Sequence, residues 1–529
     1  MEEVKEFIIE HVNKTKILNQ DLQLSWWNAY TKGHEEDYKK YSELKNRYKW
    51  VYNNKEEFNK IKNWLSEDIS NSLLKRQLKV LYNLYLSCQG EYEILTEITE
   101  RETKIEKKFN SFRPKIGNEK VTDNQINKIM TEETDSRKLQ VAWEASKKQG
   151  EEVANDLLEI IALRNNLAVR QGFNNYYEMM LEASEQKEYD IAKIFKEVEK
   201  ITDSSFKELK KEIDSFLISK LKIKYEELAP WHYQDLFFQE SPRIYNTNLN
   251  LLYKEKDFLE IVKEFYNKIG LPVEKIIEKS DLYERTGKSQ HAFCIDIDRK
   301  GDIRALTNLK KTEKWMETLL HELGHGVYWL YMKRDLPYVL RQEAHTLTTE
   351  AIAQFFGRQS KNRNFLKTYC KVEREEDLKD LEKMLKLRQV IFSRWSQVMV
   401  NFEMSLYQNP NQDLNKLWWE LVRKYQGINF YRDKPDWASK IHFISAPVYY
   451  HNYLLGELMA SQINNFLVKR IMKENKVQSP DYVNKLIVGE YLKKSIFDEG
   501  MNLPWNELIK KSTGEYLQAK YFAEEFCEK

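Results

Sequence analysis

Two imidazoles, His321 and His325, stand four residues apart in His321-Glu322-Leu323-Gly324-His325. On a helix, positions i and i+4 lie one above the other, so both rings can offer a nitrogen to one tetrahedral metal without bending the backbone. This is the HExxH spacing of zinc peptidases. Glu322 then sits beside the metal rather than on it. From there it can take a proton from a metal-bound water while the ion lowers the water's pKa and polarises a peptide carbonyl.

A zinc held by two histidines is incomplete, because catalytic sites supply three protein ligands and leave a fourth position for water. After a break at Leu336-Pro337, the segment Thr346 to Phe356 (TLTTEAIAQFF) reads as a helix opening near a threonine cap. It carries Glu350, 25 residues beyond His325. Glu343, on the connecting loop, is the rival third ligand. Glu350 is preferred because a helix holds a ligand more rigidly than a loop.

These groups need supporting elements. Gly324 sits inside the motif helix, where glycine costs about 1 kcal/mol against alanine, and that cost points to the close approach of another backbone. Just upstream, Gln290 to Asp298 (QHAFCIDID) alternates its side chains like a strand, Arg299-Lys300-Gly301 supplies turn chemistry, and Asp302 to Leu306 can return antiparallel. An extended peptide can add itself to the edge of such a hairpin by main-chain hydrogen bonds. Downstream, Lys440-Ile441-His442 and Tyr449 to Tyr453 (YYHNY) gather a cation, imidazoles and phenols. A tyrosine hydroxyl or imidazole N–H aimed at a tetrahedral oxyanion supplies about 2.7–4 kcal/mol.

The remaining composition predicts a helical protein. Gly 16 and Pro 10 in 529 residues make up about 5% of the chain, against roughly 12% in average usage. Phe58, Ile61, Trp64 and Leu65 recur at helical spacing as a core stripe. Two further stretches, Leu139 to Gln149 and Val153 to Gly172, read the same way. Lys+Arg 85 against Asp+Glu 83 leaves a formal charge of +2, which gives no reason to expect nucleic acid or a membrane surface as partner. Cys88, Cys294, Cys370 and Cys527 are scattered and read as free thiols of a reducing compartment. The start, MEEVKEFIIEHVNKTK, shows no apolar leader and no run of 18 apolar residues occurs, so a cytoplasmic protein is expected. With no linker or repeat, the chain reads as one domain over 1–529, with a helical part to about residue 225 and the strand, motif helix and Tyr/His cluster beyond it.

Taken together, these stretches resemble the angiotensin-converting enzyme family of zinc-dependent peptidyl-dipeptidases. His291-Ala292, 30 residues before His321, matches the family's His-Ala pair on the substrate-binding strand. Arg341 to Ile352 (RQEAHTLTTEAI), Trp418-Trp419 with Tyr425-Gln426-Gly427-Ile428, Lys440-Ile441-His442 and Tyr450-His451-Asn452-Tyr453 are each similar to a family segment, as are Trp143-Glu144 and Arg164 to Gly172 more weakly. The resemblance implies a mainly α, two-lobed ellipsoid with a deep central cleft closed by N-terminal helices and a small antiparallel hairpin beside the zinc helix. It implies one Zn2+ held by His321, His325 and Glu350, with Glu322 as general base and short peptides as substrates. Lys440 and Tyr450 would hold the C-terminal carboxylate, His291 and His442 would contact the scissile bond and its oxyanion, Ala292 would pair with substrate backbone, and Tyr453 would stabilise the transition state.

Three departures stand out. Asn452 replaces the arginine associated with chloride activation in the family. One extra residue after His442 makes Tyr449 a rival to Tyr450. Gln354 replaces the aspartate that orients a zinc histidine, although an amide oxygen can still accept from an imidazole N–H. Thimet-type oligopeptidases, which share the helical cleft and HExxH, are the alternative within peptidases. A non-catalytic peptide-binding protein on the same scaffold is the alternative outside them.

Overall fold

The computed structural model describes residues 2–245 and 247–527, which are mainly helical. Asn54 accepts from the Glu56 and Glu57 N–H groups to start the helix Lys55–Ser66, and Phe58, Ile61 and Trp64 of its stripe are buried. The stretches around 139–149 and 153–170 form one helix of 35 residues, Ser136–Arg170. Gly150 continues that helix at a point where any side chain would strike the Pro435 carbonyl. No helix among the described residues is long and apolar enough to cross a membrane.

Among the described residues, only two small antiparallel sheets interrupt the helices. The first pairs Lys115–Ile116 with Glu119–Lys120 around Gly117 at φ +61; two-residue strands are too short to leave a period-two signal in sequence. The second is the expected hairpin. Phe293–Asp296 pairs with Ile303–Leu306, with Phe293 opposite Leu306 and Asp296 opposite Ile303. Its turn holds Arg299 at φ +56 and Gly301 at φ +113, and the Asp296 carboxylate accepts the Arg299 N–H at 2.9 Å. Pairing begins at Phe293, so His291 and Ala292 lead into the strand rather than lie in it.

The site rests on three helices. The motif helix spans Glu313–Leu330 and starts at Thr312, whose hydroxyl accepts the Trp315 N–H. The acid helix spans Thr346–Gly357. Its cap is His345 rather than a threonine: His345 Nδ1 accepts the Leu347 N–H, and the Thr348 hydroxyl accepts the His345 N–H in return. Thr346 is already inside the helix, so the Thr-rich run supplies the second half of the capping box, not the cap itself. The third, the tyrosine helix, spans His451–Phe466.

Glycines bring these helices into backbone contact. A Cβ on Gly324 would lie 2.7 Å from the Ala353 Cα, and one on Gly456 would lie 3.1 Å from the Glu350 Cβ. The acid helix is thus clamped from both sides, and Leu347, Ala351, Ile352, Phe355 and Phe356 are all buried around it. A helix buried on nearly every face belongs inside a core, and its polar Thr349, Glu350 and Gln354 are therefore held by partners from the neighbouring helices or turned to a cavity. The largest hydrophobic cluster draws on residues from Ile105 to Phe526. A second gathers side chains between Val4 and Ile98 with Leu167, Ala168, Met179, Val339 and Leu340.

The first helix, Glu2–Lys32, reaches the hairpin. Trp26 stacks on Phe293 with ring centroids 4.9 Å apart, and the Ser289 N–H donates to the Tyr30 carbonyl at 2.9 Å.

Candidate metal centre and cleft

One donor atom each from His321, His325 and Glu350 lie within 4.8 Å of one another, the one such His/Cys/Asp/Glu group among the described residues. The motif helix puts the two imidazoles on one face, with ring centroids 4.8 Å apart. The acid helix, locked at Gly324 and Gly456, delivers the carboxylate. Donors about 2.0–2.1 Å from a tetrahedral zinc stand roughly 3.3 Å from each other, so closing this set onto an ion asks for side-chain shifts of about an ångström. Glu343 is outside the set; its carboxylate accepts from Trp329 Nε1 at 2.7 Å.

Electrostatics at the set favour a cation. Burial lowers His321 to about 4 and His325 well below its ordinary value, so both rings are neutral with a lone pair to give. With a neutral ring, the 3.8 Å approach of His321 Nε2 to Glu350 is a packing contact, not an ion pair. His325 Nδ1 is 2.7 Å from the Thr349 hydroxyl, which leaves Nε2 toward the other donors. Burial pushes Glu350 up to about 7, against the pull of the Tyr449 hydroxyl that donates to it at 3.3 Å. Burial and then the neighbouring Glu350 push Glu322 up to about 8, while the Cys294 main chain holds it partly down. Two neutral imidazoles beside two buried carboxylates short of positive charge suit one divalent ion.

The set opens onto a cavity of about 1220 Å³ whose walls include Ala292, Phe293, Trp329, Tyr449, Tyr453 and Arg388. Behind His321, burial raises the Glu317 carboxyl, but Arg388 and Lys361 outweigh it and hold Glu317 below the usual carboxylate range.

The other expected residues divide into three groups. Ala292 and Tyr453 line the cavity. Tyr450, Lys440 and His442 form an adjoining layer. The Tyr450 ring lies 5.3 Å from that of Tyr453 and 5.0 Å from that of His442, and its hydroxyl accepts from Trp395 Nε1 at 2.6 Å. Lys440 Nζ sits 5.2 Å from the Trp395 ring centroid and donates to Gln239 Oε1 at 2.9 Å. Burial lowers Lys440 to about 8 and His442 to about 4. His442 Nδ1 is buried with no hydrogen-bond partner among the described residues. His291 is exposed just ahead of the strand, its N–H held by the Ser289 hydroxyl at 3.2 Å.

Gln354 does not accept from an imidazole. It points to the tyrosine helix, donating to the Tyr453 carbonyl at 3.3 Å, and its Oε1 is buried without a partner among the described residues. Asn452 accepts from Gln186 Nε2 at 2.9 Å, and Gln186 Oε1 meets His451 Nε2 at 2.8 Å, a neutral trio where the family pattern has a cation. Sequence reasoning missed Thr349 and Gln239. Thr349 directly precedes Glu350, so its adjacency was a usable signal. Gln239 lies 201 residues before Lys440 and carried none.

A family model described as "Angiotensin-converting enzyme", a peptidase model, matches residues 1–231 and 239–526. The chain is similar to "Angiotensin-converting enzyme" of Mesocricetus auratus, 24% identical over 298 residues that cover 53% of this chain and 22% of that protein. It is similar to the Rattus norvegicus protein of the same name, 25% identical over 283 residues, 50% of this chain and 21% of that one. It also matches "Inactive angiotensin-converting enzyme-related protein" of Caenorhabditis elegans, 24% identical over 217 residues, 39% of this chain and 24% of that one. The matched region thus spans about a fifth of the mammalian relatives' length.

Proposed function

Because this chain belongs to the angiotensin-converting enzyme family, whose members are zinc metallopeptidases of the peptidyl-dipeptidase type, we propose that it hydrolyses short peptides in its cleft and releases C-terminal dipeptides. The observation that carries the reading is the His321–His325–Glu350 set with Glu322 beside it on a large cavity. His321 and His325 through Nε2, and Glu350 through a carboxylate oxygen, would hold one Zn2+. When bound, zinc supplies a Lewis acid that polarises the scissile carbonyl and acidifies water.

The chain's own groups do the rest. Glu322 takes the proton from the attacking water and returns it to the leaving amine. The main chain at Ala292 pairs with the substrate backbone. Tyr453 donates its hydroxyl to the developing oxyanion, and His442 and Tyr450 buttress that side of the site. Lys440 is a buried cation with a neutral partner, Gln239, and no carboxylate within ion-pair distance among the described residues. Such a group is stabilised by an incoming anion, which makes it the anchor for a C-terminal carboxylate. His291, exposed at the strand entrance, meets the substrate as the peptide seats.

A peptide-binding protein without catalysis is the second reading, and the similarity to a relative named inactive favours stating it. Against it stand the retained Glu322 and the complete donor set. The test is Glu322→Gln measured together with metal content. We expect one zinc per chain in wild type and variant alike, with turnover lower by about 10²–10⁴-fold in the variant. A variant as active as wild type removes Glu322 as base. A zinc-loaded wild type that binds peptides and cleaves none establishes the second reading.

A further inference from the structure

Between Tyr283 and His291 the chain runs over the surface as a loop whose residues are exposed, except for Ser289, which is half-buried, and Lys288, which is buried. A surface loop ordinarily turns its lysines outward, because their charge is costly to desolvate. This one turns inward. Its ammonium donates to the Asp281 carbonyl at 3.0 Å, the Asp281 carboxylate at 2.9 Å, the Tyr283 carbonyl at 2.8 Å and the Thr307 carbonyl.

Those acceptors lie on pieces of chain that meet at one end of the hairpin. Asp281 bridges to Leu306, its N–H donating to the Ala305 carbonyl and its carbonyl accepting the Thr307 N–H, each at 2.9 Å. This bridge uses the side of strand Ile303–Leu306 that faces away from its partner Phe293–Asp296. The loop therefore crosses from one side of that strand to the other before it enters Phe293–Asp296, and Lys288 ties its end to its beginning and to the strand it crosses. Asn308 Nδ2 adds a bond to the Ser289 carbonyl at 2.9 Å. From outside, the first helix holds the same loop: the Tyr30 carbonyl accepts the Ser289 N–H at 2.9 Å, and the Thr31 carbonyl accepts from Arg285 at 2.7 Å.

His291 and Ala292 follow three and four residues after Lys288, just ahead of the first paired residue, Phe293. A peptide that adds itself to an edge reads the height and direction of main-chain groups, and a slip of one residue presents the opposite face. Such an edge has to be placed from behind. An apolar side chain would fill the space at Lys288 at less cost, but it would hold no carbonyl in a set direction, as the three donors of an ammonium do.

We propose that Lys288 is a positioning residue for the substrate: it touches no peptide, and by tying Asp281, Tyr283 and Thr307 together it sets the main chain at His291-Ala292 in the register at which the substrate backbone pairs. The proposal rests on the peptidase reading for the identity of the ligand.

The test uses the full-length zinc-loaded protein, Lys288→Met and Lys288→Arg, with a pentapeptide that has a free C-terminus and its analogues N-methylated at one backbone amide in turn, the cleaved one excepted. N-methylation removes one main-chain donor. Hydrolysis is measured with Glu322 in place, and Kd is measured in the Glu322→Gln background. With Lys288 present, we expect one analogue to lose about tenfold in kcat/KM and in Kd, the worth of one hydrogen bond. In Lys288→Met the unmethylated peptide should itself lose about tenfold, and methylation at that amide should cost nothing more, while zinc content is unchanged. A brace with no part in binding would lower the denaturation midpoint and leave the methylation ratio at its wild-type value; that result overturns the proposal, as does a wild type indifferent to methylation at every amide. If Lys288→Met does not fold, the same ratio decides in Lys288→Arg, which keeps the charge but spreads its donors over a plane: a wild-type ratio there overturns the proposal. If peptides are bound and not cleaved, the Kd ratios still decide on Lys288, and only the peptidase reading fails. If none is bound, both fall.

Discussion

Tyr449, two residues ahead of the tyrosine helix, and Tyr453, in its first turn, stand four residues apart, yet their hydroxyls are proposed for different tasks. Tyr449 donates to Glu350, so it orients the carboxylate proposed as a metal ligand. Tyr449→Phe should weaken zinc affinity about 10–100-fold, read by chelator competition. Tyr453 lines the cavity and leaves Glu350 alone, so Tyr453→Phe should lower kcat by about 10²–10³-fold with KM nearly unchanged; a change confined to KM would remove the transition-state role. Lys440 gives the pH dependence. Burial lowers it to about 8, with Asp235 and Glu240 pulling the other way. Below that pH the ammonium is charged and holds a carboxylate, and above it the charge is lost. KM should therefore rise as pH passes about 8, by about 10- to 100-fold on the strength of a charged hydrogen bond. Lys440→Met should show the high KM at every pH. The His321–His325–Glu350 grouping was legible because the HExxH pair and an acid on the next helix have a type and spacing that little else explains, whereas the role of Lys440 came from resemblance alone. Gln239 was not legible, because contact with Lys440 is made by folding alone.

The motif, acid and tyrosine helices act as one unit, and glycine is what lets them. Gly324→Ala would force a Cβ to 2.7 Å from the Ala353 Cα. Relief requires the acid helix to move away, carrying Glu350 with it. The variant should lose about 1–3 kcal/mol of stability, read by denaturant unfolding, and should bind zinc more weakly than wild type. Unchanged zinc affinity would mean that the interhelical distance does not place the ligand. The sequence carried this constraint, since glycine inside a helix needs a reason, but it did not say which backbone comes close. The cap at His345 was illegible for a related reason. Threonines crowd the start of the acid helix, and only the φ/ψ of the folded chain assigns the cap one residue earlier. The hairpin was read with its strand starting at Gln290 because alternation continues there; pairing starts at Phe293, where Leu306 is available opposite.

At the scale of the molecule, the scarcity of glycine and proline foretold a mainly helical body, and the one hairpin of consequence lies next to the motif helix as expected. What composition could not give is the cavity of about 1220 Å³, which arises from how helices distant in sequence meet. That volume, with the buried cation Lys440 in the layer beside it, is what the proposed hydrolysis of short peptides draws on. The most direct measurement is mass spectrometry of products from a defined peptide mixture, with free and amidated C-termini, incubated with the zinc-loaded protein, the chelator-treated protein and Glu322→Gln. Products shortened by two C-terminal residues are expected, only from peptides with a free carboxylate and only with zinc and Glu322 present. Internal cleavage of the amidated peptides at equal rate would contradict this expectation and make the protein an endo-oligopeptidase.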